Sequence, residues 1–566
     1  MNAWEEARRH LDGLPSGAGL NIAYEAADRH VKRGAGDRIA FRFVGASATR
    51  SMTYAELALA SNRFANVLRR LNVGPGETVF SFAGRIPELY ISAIGTLKAR
   101  AVFSALYTNF GEQPLFARLS KGGGKVLLTT ASLYSRRIAS IRKALPTLEQ
   151  VIVGGHDPAP PLTRSFDELM AEAEDRFDIE PTDPEDPAFL HFTSGTTGSP
   201  KGALHVHDAA ASLYATASSV LKLRPDDIYW CTADPGWVTG ISYGLVAPLL
   251  HGATMVIDES EFDPARWYRI IQEQRVTVLY TAPTAIRMLM KAGSRLARSY
   301  DLRSLRLIVS AGEALSPEAV RWGRQALNLD IHDTWWQTET GSIVIGTSAD
   351  EDVSLGLMGR PVAGIEAAVG RRHGEGMLEF VEEPNKVGEL VLKAGWPSMF
   401  RGYVGEPARY AECFIQDWYL TGDLVCRDSE GRFSFVSRGD ELIKSAGHLI
   451  GPHEVEDCLN EHPAILEVGV IGKPDPLVGE VVKAFVIVRD GCEPDEQLRI
   501  DLLAFARQRL GPALAPREIS FCHTLPKTRN GKIMRPVLRA RELGLPESDL
   551  ADAEDWDQAL SPTLKP

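Results

Sequence analysis

Pro187-Ala-Phe-Leu-His-Phe-Thr-Ser-Gly-Thr-Thr-Gly-Ser-Pro-Lys-Gly202 is the stretch on which the reading of this chain turns. Residues 187–192 are mostly apolar and read as a short buried strand. Glycines and hydroxyl side chains then interleave as far as Lys201. Such a loop offers clustered backbone N–H groups, hydroxyls and one mobile cation, the chemistry that cradles a polyphosphate. It is not a Walker A element, which requires G-x-x-x-x-G-K-[ST]; here Gly195 and Gly198 are three residues apart and Lys201 is followed by Gly202. P-loop kinases and GTPases are thereby set aside. The density of glycines and hydroxyls before the lysine also argues against an ordinary surface loop.

Working outward, a chain of 566 residues is too long for one core, so two or more domains are expected. With 44% hydrophobic and 24% charged residues, it has the composition of a soluble globular protein. A net charge of −12 leaves no electrostatic footprint for nucleic acid or an anionic membrane, and neither is expected as a partner. The six cysteines show no C-x-x-C spacing, which fits a reducing cytoplasm and argues against a zinc site. The first ten residues are charged, with no apolar signal core. No uncharged apolar run approaches the roughly 20 residues of a membrane span; the longest, residues 244–257, is interrupted by Pro248 and His251.

From about residue 35 to 440, strand-like apolar runs alternate with helical patterns, the signature of α/β layering. Thr78-Val-Phe-Ser-Phe82, Val276-Thr-Val-Leu-Tyr280 and Leu305-Arg-Leu-Ile-Val-Ser310 are examples, with helices expected over 54–71 and 264–275. From 385 to 440 short strands such as Gly388-Glu-Leu-Val-Leu-Lys393 suggest a small β subdomain. Beyond Ser437-Arg-Gly-Asp-Glu441, a helix over 453–462, strands over 467–471 and 482–488 and a helix over 496–510 read as a separate small α+β domain. The expected division is 1–438 and 439–566.

Further segments join the opening loop. They are Cys231-Thr-Ala-Asp-Pro-Gly-Trp-Val-Thr-Gly-Ile-Ser-Tyr243, Ser310-Ala-Gly-Glu-Ala314 and Asp333-Thr-Trp-Trp-Gln-Thr-Glu-Thr-Gly341. Tyr419-Leu-Thr-Gly-Asp423, Arg438-Gly-Asp440 and Leu525-Pro-Lys-Thr-Arg-Asn-Gly-Lys-Ile-Met-Arg535 complete the set. Together, and in this order, they resemble the adenylate-forming superfamily of acyl-CoA synthetases, adenylation domains and luciferases. The Trp-Trp-Gln-Thr-Glu-Thr-Gly and Gly-Trp-Val-Thr-Gly segments look most like its short-chain, acetyl-CoA synthetase branch. The resemblance runs from about Thr53 to Arg541.

The resemblance implies an AMP-forming acid–thiol ligase whose substrates are a small carboxylic acid, ATP and coenzyme A, with Mg²⁺ as cofactor. It assigns the ATP phosphates to Thr193, Ser194, Gly195, Thr196, Thr197, Gly198 and Lys201, and close approach to the adenine to Gly312, Glu313 and Ala314. Asp333, Thr334, Trp335, Trp336, Gln337 and Thr338 would line the nucleotide. Glu339 would supply the carboxylate that a hard cation bridging phosphates requires. Asp423 resembles the family's acceptor of both ribose hydroxyls, Arg438 the arginine at the domain junction and Asp440 the hinge. Lys532 would bridge the attacking carboxylate and the α-phosphate, offsetting the repulsion of two anions. Acylation of Lys532 would remove that charge, so a lysine acetyltransferase and a deacetylase are the partners that would write and erase such an off-switch.

In the acetyl-CoA synthetase branch, Trp336 closes the floor of the acyl pocket, with Trp237, Val238, Thr239 and Ala311 around it. Ala311 stands where acetate enzymes carry a larger aliphatic residue, which makes room for propionate or butyrate. Leu449, in Ala446-Gly-His-Leu449, departs from the branch's arginine, and Lys444 is the neighbouring cation that could substitute. Gly447 and His448 lie on the expected thiol path; Arg507, Arg509 and Arg517 are the cations available to the 3′-phosphate of CoA. Two other readings remain open: transfer of the acyl group to an amine or a separate carrier, and a catalytically impaired small-molecule binder, which only Leu449 favours.

Overall fold

The structure is a computed structural model that describes residues 3–155, 157–193, 200–374, 376–439, 441–445, 448–475, 478–512, 514–527 and 533–544, with the side chains of Lys444, His448 and Leu449 left out. Two mainly parallel sheets form its bulk. One has eight strands among the described residues, in the order Gly402–Tyr403, Lys201–Val206, Pro187–Thr193, Val102–Ala105, Thr78–Phe82, Val126–Thr130, Gln150–Gly154, Arg164–Ser165. The other has nine. Its parallel part runs from Ile39–Val44 through Thr254–Asp258, Ile228–Cys231, Val278–Thr281 and Leu307–Ser310 to Ile331–Trp335, and its edges are antiparallel.

The local sequence explains this arrangement. Thr78–Phe82, Val278–Thr281 and Leu307–Ser310 are buried along their whole length, as strands covered by helices on both faces must be. The intervening helices announce themselves chemically. Helix Tyr54–Arg70 begins at a capping box in which Thr53 and Glu56 exchange side-chain-to-backbone hydrogen bonds. The strand expected from Val276 starts at Val278 instead. The Val276 amide still donates to the Ile271 carbonyl (3.0 Å), closing helix Pro264–Gln274 behind a left-handed Arg275.

An antiparallel sheet, six-stranded among the described residues, contains Gly388–Lys393 and Trp418–Arg427 and ends on Phe433–Arg438. After it the chain enters a five-stranded sheet built on the long hairpin Ile465–Asp475 and Gly479–Val488. Helices Pro452–Asn460 and Glu496–Leu510 accompany this sheet, and Ile443, Val455, Val470, Val486 and Leu502 form its own core. The architecture is the expected one: a large α/β unit with a β subdomain, followed by a small α+β unit. Among the described residues no helix is long and apolar enough to cross a membrane.

The carboxyl ends of the parallel strands Val278–Thr281, Leu307–Ser310 and Ile331–Trp335 open on one side, where ligands of open α/β sheets collect. The segment after Trp335 turns through Gly341 at φ +68, and a Cβ there would lie 2.3 Å from the Ser398 carbonyl oxygen and 2.9 Å from the His205 ring. Gly405 is also left-handed, at φ +74, but a Cβ there meets nothing within 4 Å. Gly341→Ala is therefore expected to lower the thermal unfolding temperature well beyond Gly405→Ala, which bears only the backbone cost of about 1–2 kcal/mol. Equal shifts in paired melting curves would contradict this packing.

Candidate active site

The phosphate-loop segment is the connection of a β-hairpin, with Thr193 paired opposite Lys201. Ser194, Gly195, Thr196, Thr197 and Gly198 lie outside the described residues. Lys201 opens a strand, so the loop does not lead into a helix as a Walker loop does. The Lys201 ammonium stands 5.3 Å over the Tyr403 ring. Burial, and then the charge of Arg409, lower its pKa from the ordinary lysine value. The Tyr403 hydroxyl donates to Glu339 Oε1 at 2.6 Å, and the Phe400 amide donates to the Glu339 carbonyl at 2.9 Å. Lys201, which opens a strand, and Glu339, in the turn after Trp335, thus meet at one tyrosine, the first over its ring and the second at its hydroxyl.

A second cluster surrounds Asp423, which is buried. Trp335 Nε1 donates to its Oδ2 at 2.9 Å, and Gln337 Nε2 reaches the same oxygen at 3.3 Å and the Thr421 carbonyl at 2.9 Å. The Tyr419 hydroxyl donates to Gln337 Oε1 at 2.9 Å, which fixes the amide's orientation. Arg438, the residue paired with Asp423 across the strands, brings Nε to 3.8 Å from Oδ1. Trp335, expected to line the nucleotide, does line the cleft, and its buried indole N–H is spent on the carboxylate.

A third cluster is aromatic. Trp336 Nε1 donates to the Tyr280 hydroxyl at 3.0 Å, and the Tyr243 ring packs against the indole at 5.1 Å and 71°. Val238 and Thr239 begin a short helix capped by Trp237, whose ring lies 5.4 Å from Tyr107. Ala311 follows the buried strand Leu307–Ser310, and Gly312 comes next at φ +97, where a side chain would be strained. The Glu313 carboxylate accepts from Thr284 Oγ1 at 2.7 Å and from Arg287 at 2.5 Å. Asp333 is buried, which pushes its carboxyl well above the usual range; the Thr334 amide (2.9 Å) pulls the other way.

Lys201, Glu339, Tyr403, Trp335, Asp423, Trp336 and Tyr280 from these three clusters, with Gly312 to Ala314, Asp333, Thr334 and Thr338, line one cleft of about 2540 Å³. That exceeds the 300–1,000 Å³ typical of a single small ligand, so the cleft has room for more than one substrate. The small unit closes one side of it with His453, Asp457, Lys527 and Arg535. A smaller neighbouring pocket of about 350 Å³ shares Arg85, Thr108 and Asn109 with the cleft and adds Arg136 and Arg137.

Lys532, Asp440 and Gly447 lie outside the described residues, as do the side chains of His448, Leu449 and Lys444. Leu449 and Lys444 are nevertheless paired opposite each other in a short hairpin. Three residues beyond Lys532, Arg535 is buried and bound to Glu441 (2.9 Å) and Glu456 (2.7 Å). This anchors one end of the lysine segment beside the residue that follows Asp440. Arg507 and Arg509 are not among the described residues lining the cleft. Arg509 is bonded to Glu461 and lies 4.7 Å over the Phe505 ring. Tyr280 and Tyr403 carry no local signal of a site in the sequence, whereas Arg535 stands at the end of the lysine-bearing segment quoted above.

Residues 27–404 match the AMP-binding enzyme family and residues 454–532 match the AMP-binding enzyme C-terminal domain. The chain is a member of the AMP-binding enzyme family. Among related AMP-binding enzymes, the acetyl-coenzyme A synthetase of Bacillus subtilis is 46% identical over 98% of this chain and 96% of its own length. That of Methanothrix thermoacetophila is 37% identical over 94% and 85%. A Brucella canis acyl-CoA synthetase structure superposes with a TM-score of 0.73 at 32% identity, covering 95% of this chain and 97% of its own. The anthranilate CoA ligase AuaEII, in complex with anthranoyl-AMP, gives a TM-score of 0.85 at 27% identity, covering 96% and 99%.

In this AMP-binding enzyme, Asp457 faces the cleft from the small unit, and burial pushes its carboxyl up to about 6. An unfolded aspartate titrates near 3.9. The folded state therefore holds the proton more tightly, and this group's contribution to stability is lost as pH rises from about 4 through about 6. Asp457→Asn is expected to raise the unfolding temperature above pH 6, with the gain shrinking towards pH 4. A gain independent of pH would contradict the assignment.

Proposed function

We propose that this chain is an AMP-forming ligase that activates a short-chain carboxylic acid, such as acetate, propionate or butyrate, first to acyl-AMP and then to acyl-CoA. The observation that carries the reading is the convergence of Lys201, Glu339, Asp423 and Trp336 on one cleft. The identity to proteins named acetyl-coenzyme A synthetase supports it.

In the first step a carboxylate oxygen of the acid attacks the α-phosphorus of ATP, and the bond to the bridging β-phosphate oxygen breaks to release pyrophosphate. The hairpin loop with Thr193 and Lys201 holds the departing phosphates. Asp423, oriented by the Trp335 N–H, accepts from the ribose hydroxyls, with Arg438 beside it. Gly312 to Ala314 carry the adenine, the left-handed Gly312 allowing backbone approach. Trp336 closes the acyl end, and Ala311 leaves room for two to four carbons. Glu339 presents a carboxylate, the hard oxygen donor that Mg²⁺ takes, fixed by Tyr403. Among the described residues no group of three or more His, Cys, Asp or Glu could hold a metal, which suits a cation bound by one carboxylate together with substrate phosphates. When bound there, Mg²⁺ would neutralise phosphate charge.

Lys532 bridges the two anions in this step. In the second step the small unit, taken as 439–566, turns about Asp440 so that the CoA thiolate attacks the acyl carbonyl and AMP leaves. Pantetheine approaches past Gly447 and His448. The Arg85, Arg136 and Arg137 pocket adjoining the cleft has the charge for the CoA phosphates, and supports that role better than Arg507 and Arg509 do. All six cysteines are free, in keeping with a cytoplasmic site of action. Lys532 acylation would block the first step.

The test is acyl-CoA formation from C2 to C6 acids with ATP and CoA, alongside acid-dependent exchange of labelled pyrophosphate into ATP. Lys532→Ala is expected to slow the exchange by about 10²–10³ while leaving conversion of supplied acyl-AMP to acyl-CoA largely intact. No acid-dependent exchange by the native chain would overturn the ligase reading. Equal loss of both half-reactions in the variant would overturn the turning of the small unit.

A further inference from the structure

Trp336 closes the acyl end of the cleft, but an indole on a loop closes a pocket only as firmly as it is held. An indole nitrogen can only donate and a carbonyl oxygen can only accept, which fixes the direction of every bond behind Trp336. Trp336 Nε1 donates to the Tyr280 hydroxyl oxygen at 3.0 Å. That oxygen lies 3.1 Å from Thr334 Oγ1, and Thr334 Oγ1 donates its one proton to the Ser310 carbonyl at 2.6 Å. Thr334 must therefore accept from Tyr280, and Tyr280's remaining capacity goes to the indole. Tyr280 is buried, and burial raises its phenol well above the ordinary value, so the hydroxyl stays protonated.

The indole is also packed by Tyr243, whose ring meets Trp336 at 5.1 Å and Tyr280 at 5.5 Å. Tyr243 is itself pinned, its hydroxyl 2.7 Å from Thr216 Oγ1 and accepting from the Ile343 amide at 2.8 Å. Trp336 is thus held by a hydrogen bond at its nitrogen and by a T-shaped contact with a fixed aromatic ring.

We propose that Tyr280 is a specificity-determining positioning residue: it sets the length of acid the cleft accepts by locking the Trp336 ring through a one-way hydrogen-bond chain ending on Ser310. The inference rests on the acid-activating reading above and adds to it the residue that enforces the size limit.

The experiment compares kcat/KM for acetate and pentanoate in the native enzyme and in Tyr280→Phe, which removes one hydroxyl and keeps the ring. The pentanoate-to-acetate ratio is expected to rise about tenfold, the scale on which a hydrophobic pocket discriminates by size, with KM for ATP changed less than about twofold, since the nucleotide contacts lie elsewhere in the cleft. In a Trp336→Ala background the same substitution is expected to leave the ratio unchanged, because the lock acts through the indole. A native enzyme that makes no acyl-CoA from either acid would overturn the activity reading and leave the hydrogen-bond lock without a function. A native enzyme active on acetate together with an unaltered ratio in Tyr280→Phe would overturn the lock alone, as would a full additional shift in the Trp336→Ala background. Should Tyr280→Phe fail to fold in a melting assay, Thr334→Val removes Tyr280's acceptor. The ratio should then move in the same direction, and no movement would overturn the proposal.

Discussion

A buried carboxylate is tolerated only where donors meet it, and Asp423 is where this molecule meets that demand across two sheets. The Trp335 indole comes from the end of the nine-stranded sheet and Asp423 from the antiparallel β subdomain, 88 residues later in the chain. The hydrogen bond between them fixes the subdomain against the carboxyl ends of the parallel strands, and Gln337 and Tyr419 reinforce it. Trp396 Nε1 and Ser398 Oγ add hydrogen bonds to the Thr340 carbonyl at 2.9 and 2.7 Å, so the segment that carries Trp336 and Glu339 is tied to the following chain at several points.

Around that bond the cleft divides by chemistry. One end gathers Lys201, Glu339 and Tyr403, where charge and hydrogen bonding dominate. The other gathers Trp336 and Tyr280, with the buried Tyr243 packed against them. Phosphate groups at the first end and a small apolar group at the second suit this polarity. The small unit adds His453, Asp457 and Arg535 to the same wall, so both parts of the chain shape the cleft.

Much of the fold was legible because its signals are local. Strands Thr78–Phe82 and Gly388–Lys393 and helix Glu496–Leu510 fall where their patterns place them. Errors were confined to ends, as at Val278, where a left-handed Arg275 delays the strand. The motif residues Glu339, Asp423 and Trp336 were legible as chemistry. Their keepers were not: Tyr280 serves Trp336 from 56 residues away, and Tyr403 serves Glu339 from 64. A tyrosine carries no mark of the partner its hydroxyl will find, since that partner is chosen by how sheets pack.

By itself the sequence determined the layering of strands and helices, the separate small unit and the chemical inventory of the cleft, because hydrophobic period and motif spacing are properties of neighbouring residues. Only the tertiary structure decided that Trp335 orients Asp423 rather than turning its nitrogen to a ligand, that Tyr403 joins Lys201 to Glu339, and that Tyr280 holds Trp336. These are contacts between distant segments, and their geometry exists only once the sheets that carry them have met.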